Sequence, residues 1–286
     1  MVRLYLEQGS QKWLDLRKTK VTASDAACVM GCGFATPRQR WYEKMGLKEV
    51  IVTDRMRRGL ALEETARKAY EKITGHWTMP GVYQHDTYDW MLASLDGITL
   101  EEDLVLEIKC PGKLDHATAK SGKVPEKYWP QMQHQLMCVG IDRAQYFSYL
   151  HDGDVALLDV KRDDEYCERL LREEEVFWQC VRDGDLPELT DADYDHKEDE
   201  DFYIAAAELK EASAEVAKWK KLYEVRRQRC IDLAGGVNSR GNGIKIRCGT
   251  SKGVINYKQI PELQGLDLER YRGPETVSWT ITVDKG

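Results

Sequence analysis

The segment Asp103–Lys109 constrains this chain more than any other. Read as an extended strand, Leu104, Leu106 and Ile108 share one side, and Val105, Glu107 and Lys109 share the other. One side asks for a core. The other carries a carboxylate and an ammonium two residues apart. Two readings are open at this level: a Glu/Lys pair on a half-exposed strand, or two functional groups projecting together into a site.

Helical and strand periods alternate around that segment. Thr22–Asp25 reads as a cap for a short helix ending before Gly31, and Pro37 sits in the first turn of a helix that stops at Gly46. Leu62, Ala66, Ala69 and Ile73 form a helical stripe from about Asp54 to Thr74, closed by Gly75. Val82–Tyr88 and Trp90–Leu95 are predicted strands, with Asp96-Gly97 following the second. Lys127–Val139 is a predicted helix, Ala144–Leu150 and Val155–Val160 are predicted strands, and Asp163–Arg182 is an amphipathic helix. Helices before, between and after a block of strands imply an α/β core of 185–190 residues, assigned here to 1–184.

Beyond the core, residues 185–201 are acidic and read as a linker, and 202–286 as a helix with a small β extension. Leu209, Ala212, Val216, Trp219 and Tyr223 follow a 3-4-3-4 seam suited to packing on another helix. Arg226 and Cys230 interrupt it, so a long coiled coil is not expected. Ile244–Cys248, Val254–Ile260 and Val277–Val283 are predicted strands, with a turn at Thr250–Gly253.

Composition removes several function classes. With 286 residues, 42% hydrophobic and 32% charged, the chain is globular, and no apolar run is long enough for a membrane span. Met1–Gln11 has no apolar core before a small-residue cleavage site, so a secretory leader is not expected and the cytoplasm is. The eight cysteines are scattered without a C-x-x-C, which makes reduced thiols the default. Cys28 and Cys32 could at most hold half a metal site. The net charge of −7 is segregated: Asp152–Phe202 has 20 acidic and 6 basic residues, whereas Arg17–Lys72 has 13 basic and 7 acidic. A basic region can therefore meet phosphate while an acidic belt faces elsewhere.

Chemistry concentrates at Asp96, Glu107 and Lys109. Two carboxylates on neighbouring strands suit Mg²⁺ or Mn²⁺, and a lysine beside them can hold and polarise a water for attack on phosphorus. Glu63, beside the stripe of the long helix, is a candidate third acid. Gln131 and Gln133, on the helix after the third strand, are candidates to hold the water. No G-x-x-x-x-G-K-[ST] is present, so no ATP-driven motor is expected, and the cysteine spacings do not offer an iron–sulfur cluster.

In order along the chain stand Trp13-x-x-x-Arg17, Thr22-Ala23-Ser24, Gly59-x-x-x-Glu63-x-x-x-Arg67-x-x-Tyr70, Ser94-Leu95-Asp96-Gly97, Glu107-Ile108-Lys109-Cys110-Pro111 and Gln131-Met132-Gln133. Over residues 5–182 this series resembles the phage lambda exonuclease/YqaJ-type viral recombinase family, within the PD-(D/E)XK nuclease superfamily. Leu95 stands where that pattern usually has proline. The resemblance implies a restriction-endonuclease-like α/β (α+β) core with a central mixed sheet flanked by helices. It implies Asp96 and Glu107 as metal ligands with Glu63 nearby, Lys109 activating water, Gln131 assisting, and Arg17, Ser24 and Ser94 holding a 5′-terminal phosphate.

It further implies a Mg²⁺-dependent 5′→3′ exonuclease of phage or prophage origin. Such an enzyme acts on double-stranded DNA ends, releases 5′-mononucleotides and leaves 3′ overhangs. A ring-shaped homotrimer and a single-strand-annealing recombination protein are the partners it implies. Two rivals remain: a structure-specific or restriction-like endonuclease on the same core, and a non-catalytic DNA-end-binding module.

Overall fold

The structure is a computed structural model that describes residues 1–49 and 53–247. The strands predicted at Val254–Ile260 and Val277–Val283, and the turn before them, lie outside the described residues.

The core opens with β1 (Val2–Leu4), α1 (Gln11–Lys18), β2 (Val21–Thr22), α2 (Ala23–Val29), α3 (Pro37–Lys44) and α4 (Asp54–Thr74). Then come β3 (Thr78–Gln84), β4 (Met91–Thr99), β5 (Val105–Lys109), α5 (Lys113–Lys120) and α6 (Trp129–Val139). It continues through β6 (Arg143–Tyr149), β7 (Val155–Lys161) and α7 (Asp164–Asp183). The seven strands form one mixed sheet in the order β1-β3-β4-β5-β6-β7, with the short β2 parallel to the start of β4. β5 and β6 are also parallel, joined by the crossover that contains α5 and α6; the other pairings are antiparallel.

Each face of the sheet buries a different layer. Leu106, Ile108 and Phe147 pack on Ala66 and Tyr70 of α4. On the other face Val105, Leu95 and Tyr146 join Met132 and Leu136 of α6, Trp41 of α3 and Leu170 and Phe177 of α7. The alternation in β5 is thus resolved: its apolar side takes α4, and the side bearing Glu107 and Lys109 faces α6.

Several expected boundaries shift. The first two strands run over Thr78–Gln84 and Met91–Thr99 rather than Val82–Tyr88 and Trp90–Leu95. The His85 ring Nδ1 accepts from the backbone N–H groups of Thr87 and Tyr88, both at 3.0 Å, and turns the chain where strand was expected. Pro80 is accommodated at an irregularity between Met79 and Gly81. Asp96 therefore lies within β4 rather than after it. Helix α5 was not anticipated from the sequence; its eight residues are too few for a clear period.

The chain divides into two compact units, 1–195 and 196–286, so the division falls inside the acidic stretch read as a linker. Residues before it are tied to the core: Arg38 donates twice to the Pro187 carbonyl at 2.9 and 2.6 Å, and Thr36 donates to Asp193. In the second unit α8 (Glu200–Ala234) is followed by a hairpin of β8 (Ser239–Gly241) and β9 (Ile244–Ile246). Among the described residues no helix is long and apolar enough to cross a membrane.

Gly97 permits the central pairing. A Cβ there would stand 2.7 Å from Thr78 Oγ1 and 2.8 Å from its Cβ. Gly97→Ala should therefore cost about 1–3 kcal/mol, read as a lower urea midpoint at unchanged slope. An unchanged midpoint would show that β3 yields freely at this point.

Candidate nuclease site

The β4–β5 ladder is paired at Gly97–Leu106 and Ile98–Val105. One step further, a side chain takes over from the backbone: the N–H of Ile108 donates to Asp96 Oδ2 at 2.8 Å. This fixes the Asp96 carboxylate at the end of β5, next to Glu107.

Glu107 is fully buried. Lys109 Nζ and Gln131 Nε2 donate to its Oε1, the latter at 2.6 Å, and Gln135 Nε2 donates to Oε2 at 2.5 Å. Residues 131 and 135 are one helical turn apart on α6 and share the face turned to the sheet. Gln133, expected beside Gln131, points elsewhere: it donates to the Lys161 carbonyl and accepts from the Asp163 N–H. Sequence reasoning missed Gln135, although its i+4 spacing from Gln131 carried the signal. It also missed Tyr128, whose ring centroid lies 5.3 Å from Lys109 Nζ and which stacks on Tyr146 at 5.9 Å.

Glu63, Asp96, Lys109, Cys110 and Tyr128 line one cleft of about 280 Å³ at the end of β5. Glu63 reaches it from α4, held by Arg67 at 2.9 Å. Burial, then the charges of Glu107 and Glu63, push the Asp96 carboxyl well above the usual carboxylate range, against the pull of Lys109. Glu107 and Asp96 hold the Lys109 ammonium above its ordinary value despite burial. Burial and the neighbouring Glu63 and Asp96 raise the Cys110 thiol to about 11, which argues against a thiolate nucleophile in this cleft.

Three carboxylates against Lys109 and Arg67 leave one negative charge in excess, which a cation would offset. Among the described residues no three His, Cys, Asp or Glu side chains already converge as a metal cage. Asp96 and Glu107 alone still suit Mg²⁺, which is commonly held by one or two carboxylates, with waters and substrate phosphate oxygens completing the shell.

A second cluster adjoins the first. β2 runs beside the start of β4, with Thr22 opposite Leu92, and so brings the N-terminus of α2 toward Ser94. Arg17 Nη2 donates to Ser24 Oγ at 2.7 Å, and the Arg17 guanidinium lies over the Trp13 ring at 4.4 Å. Trp13 Nε1 donates to Ser94 Oγ at 2.9 Å. Arg17, Ser24 and Ser94 are therefore joined through Trp13. Ser94 and Asp96 are two residues apart on β4, about 7 Å along the strand.

The support beneath this cluster is Asp25. Its Oδ2 closes a capping box with Thr22 and pairs with Lys44 at 2.6 Å; Arg40 approaches at 3.4 Å. Lys44 also donates to the carbonyls of Arg17 and Lys20. Cys28 and Cys32 form no metal pair: Cys28 accepts from Arg40, and Cys32 turns to the Glu126 carbonyl.

The YqaJ-like viral recombinase domain matches residues 12–142. An uncharacterised YqaJ protein of Bacillus subtilis is 28% identical over 193 residues, which span 64% of this chain and 60% of that protein's length. The alkaline exonuclease LHK-Exo of Laribacter hongkongensis is 31% identical in its crystal structure, with a TM-score of 0.54, covering 61% of this chain and 94% of that one. The structure of LHK-Exo in complex with dAMP matches equally, at 30% identity and a TM-score of 0.54.

Burial raises the Asp25 carboxyl, but Lys44, Arg40 and Arg17 outweigh it and hold the group down at about 2, against 3.8 ordinarily. A depressed folded-state value stabilises above pH ~4, and the gain is lost as pH falls from about 4 to 2; it amounts to about 2 kcal/mol. Asp25→Asn also leaves Lys44 buried without its partner and should cost about 3–5 kcal/mol at pH 7. Urea titrations across pH should show the gap between wild type and variant narrowing toward acid. A gap constant from pH 7 to 3 would separate Asp25 from this role.

Proposed function

The chain belongs to the YqaJ-like viral recombinase family, and on that premise we propose that it is a Mg²⁺-dependent exonuclease that degrades one strand of a DNA duplex from its 5′ end. The observation that carries this reading is the adjacency on β4 of Ser94 and Asp96. The first belongs to a cluster of phosphate-binding groups and the second to the carboxylate pair. A pocket for a terminal phosphate next to a hydrolytic centre favours an end-dependent enzyme over an endonuclease. The complex of LHK-Exo with dAMP supports a mononucleotide product.

Arg17 offers a planar guanidinium pre-oriented on Trp13, and Ser24 and Ser94 offer hydroxyls for the remaining phosphate oxygens. Asp96 and Glu107 would hold the metal, with Glu63 at the edge of the cleft. When bound, Mg²⁺ would draw charge from the scissile phosphate and acidify a water. Lys109, steadied by Glu107 and Tyr128, orients that water by donating to it. Gln131 and Gln135 keep the Glu107 carboxylate aimed. The same reading carries release of 5′-mononucleotides, 3′ overhangs, a ring-shaped homotrimer threaded by DNA and a single-strand-annealing partner.

Linear duplexes with 5′-phosphate or 5′-hydroxyl ends, digested with Mg²⁺ or EDTA beside a covalently closed circle, test the whole reading. Phosphorylated linear ends should be consumed fastest, with no cleavage in EDTA and none of the circle. Cutting of the circle would transfer the reading to a restriction-like endonuclease.

Asp96→Ala or Glu107→Gln should lower turnover at least ~10²-fold while duplex binding survives, because removing an acid does not repel phosphate. Near-normal Mg²⁺-dependent cleavage by both variants would sink the assignment.

Arg17→Ala should lose roughly 1.5–3 kcal/mol of a charge-assisted contact, a fall of ~10- to 150-fold confined largely to phosphorylated ends. Equal loss on both kinds of end, with a lowered melting temperature, would make Arg17 a structural residue of the Trp13 segment.

A further inference from the structure

The loop between α2 and α3 holds a phenylalanine in the open: Phe34 is 73% exposed. A lone exposed ring is ordinary on a protein surface. This one is not free to fold away, because the chain on either side of it is pinned. The Gly31 N–H donates to the Cys28 carbonyl at 3.1 Å, and the Cys32 N–H to that of Ala27 at 3.0 Å. Gly31 has a φ of +73°, and a Cβ on Gly33 would stand 2.7 Å from Cys28 N. Downstream, Thr36 caps α3 and donates to Asp193.

One face of the ring is taken. Lys127 Nζ lies over it, 4.9 Å from the centroid, and is held by Asp115 at 2.7 Å. The same ammonium lies 5.3 Å from the centroid of Tyr128, which lines the candidate nuclease cleft. Phe34 is therefore within about three base-pair rises, at ~3.4 Å each, of the Tyr128 ring.

Phe34 also lines a separate cleft of about 400 Å³, together with Gly31, Gly33, Pro37, Gln39 and Asp191. A flat apolar ring, glycines that let a ligand approach the backbone, and two side chains with hydrogen-bonding ends suit a planar heterocycle. The Asp191 carboxylate disfavours a phosphate there and can accept from the N–H edge of a base.

Resting on the reading of the chain as a nuclease that acts on DNA ends, we propose that this cleft takes one nucleobase of the bound end, stacked on Phe34. A grip on the terminal phosphate alone leaves the strand free to pivot. A base stacked at a second point fixes the direction in which the DNA crosses Asp96 and Lys109. Such a hold tolerates any sequence, because every base has a π-face.

The full chain tests this by titration with a linear duplex in EDTA, where the nuclease reading expects no cutting. Phe34→Ala should bind ~5- to 150-fold more weakly, the range of one base–aromatic stack, with an unchanged melting temperature. Phe34→Trp should bind as wild type does, and Phe34→Leu as weakly as the alanine variant. Duplexes carrying 5-iodouracil at successive positions from the end, irradiated with wild type, should cross-link to Phe34 from one position. The strand that carries that position is the source of the base.

Equal affinity in wild type and Phe34→Ala would overturn the proposal and leave end-dependent cleavage, measured separately with Mg²⁺, untouched. Wild-type affinity in Phe34→Leu would overturn it too, by reducing the contact to an apolar one. So would a lower sedimenting mass in Phe34→Ala, which would place the ring in a contact between copies of the chain. Failure of wild type to bind any duplex would remove the nuclease reading together with this one.

Discussion

A carboxylate with no solvent exposure sits in the middle of the sheet, and the candidate site is arranged around it. Glu107 is tolerated there because Lys109, Gln131 and Gln135 converge on its two oxygens. To deliver those amides, α6 must lie over β5 with one face down, which fixes the crossover between two parallel strands. To free the edge of the site, the β4–β5 ladder gives way to the Asp96 carboxylate, which takes the Ile108 N–H that a backbone carbonyl would otherwise receive. Core packing and site geometry are here one requirement.

The second dependency runs along β4. Ser94 and Asp96 share that strand, so any movement of one cluster relative to the other would have to bend the most paired strand of the sheet. Arg17 and Ser24 join through β2 and the first turn of α2, where the buried pair of Asp25 and Lys44 ties the backbone of Arg17 to the helix cap. Both clusters are thus built from short pieces held by a rigid element, the arrangement that positions catalytic groups most accurately.

Much of this was legible without coordinates. Asp54–Thr74 reads as a helix because its stripe and its terminal glycine agree, and the period-2 segment at β5 announces both faces. The acidic pair and lysine could be named because residues two apart on a strand must project together. What failed has local causes. Strand β3 was displaced because the His85 ring captured two backbone donors and made a turn inside an apolar run. The run Gln131-Met132-Gln133 points to Gln133, but on a helix Gln135, four residues on, shares the face of Gln131. Helix α5 has too few turns to show a period. The acidic stretch read as a linker is packed against α3 up to Asp193 by bonds from Arg38 and Thr36, contacts that no composition reveals.

The sequence by itself determined the periodicities and order of the longer helices and strands, and the residue types available for phosphate and cation chemistry, because these depend only on spacing along the chain. Tertiary structure alone decided that Trp13 would link Arg17 to Ser94, that Gln135 and Tyr128 would join the site, and that α4 would bring Glu63 to its edge while packing on the opposite face of β5. Apart from Trp13 on Arg17, those contacts join residues from 19 to more than 80 positions apart. Only the pairing of β2 with β4 and of β5 with β6 brings them within hydrogen-bonding distance, and strand pairing is a property of the folded sheet rather than of any local segment.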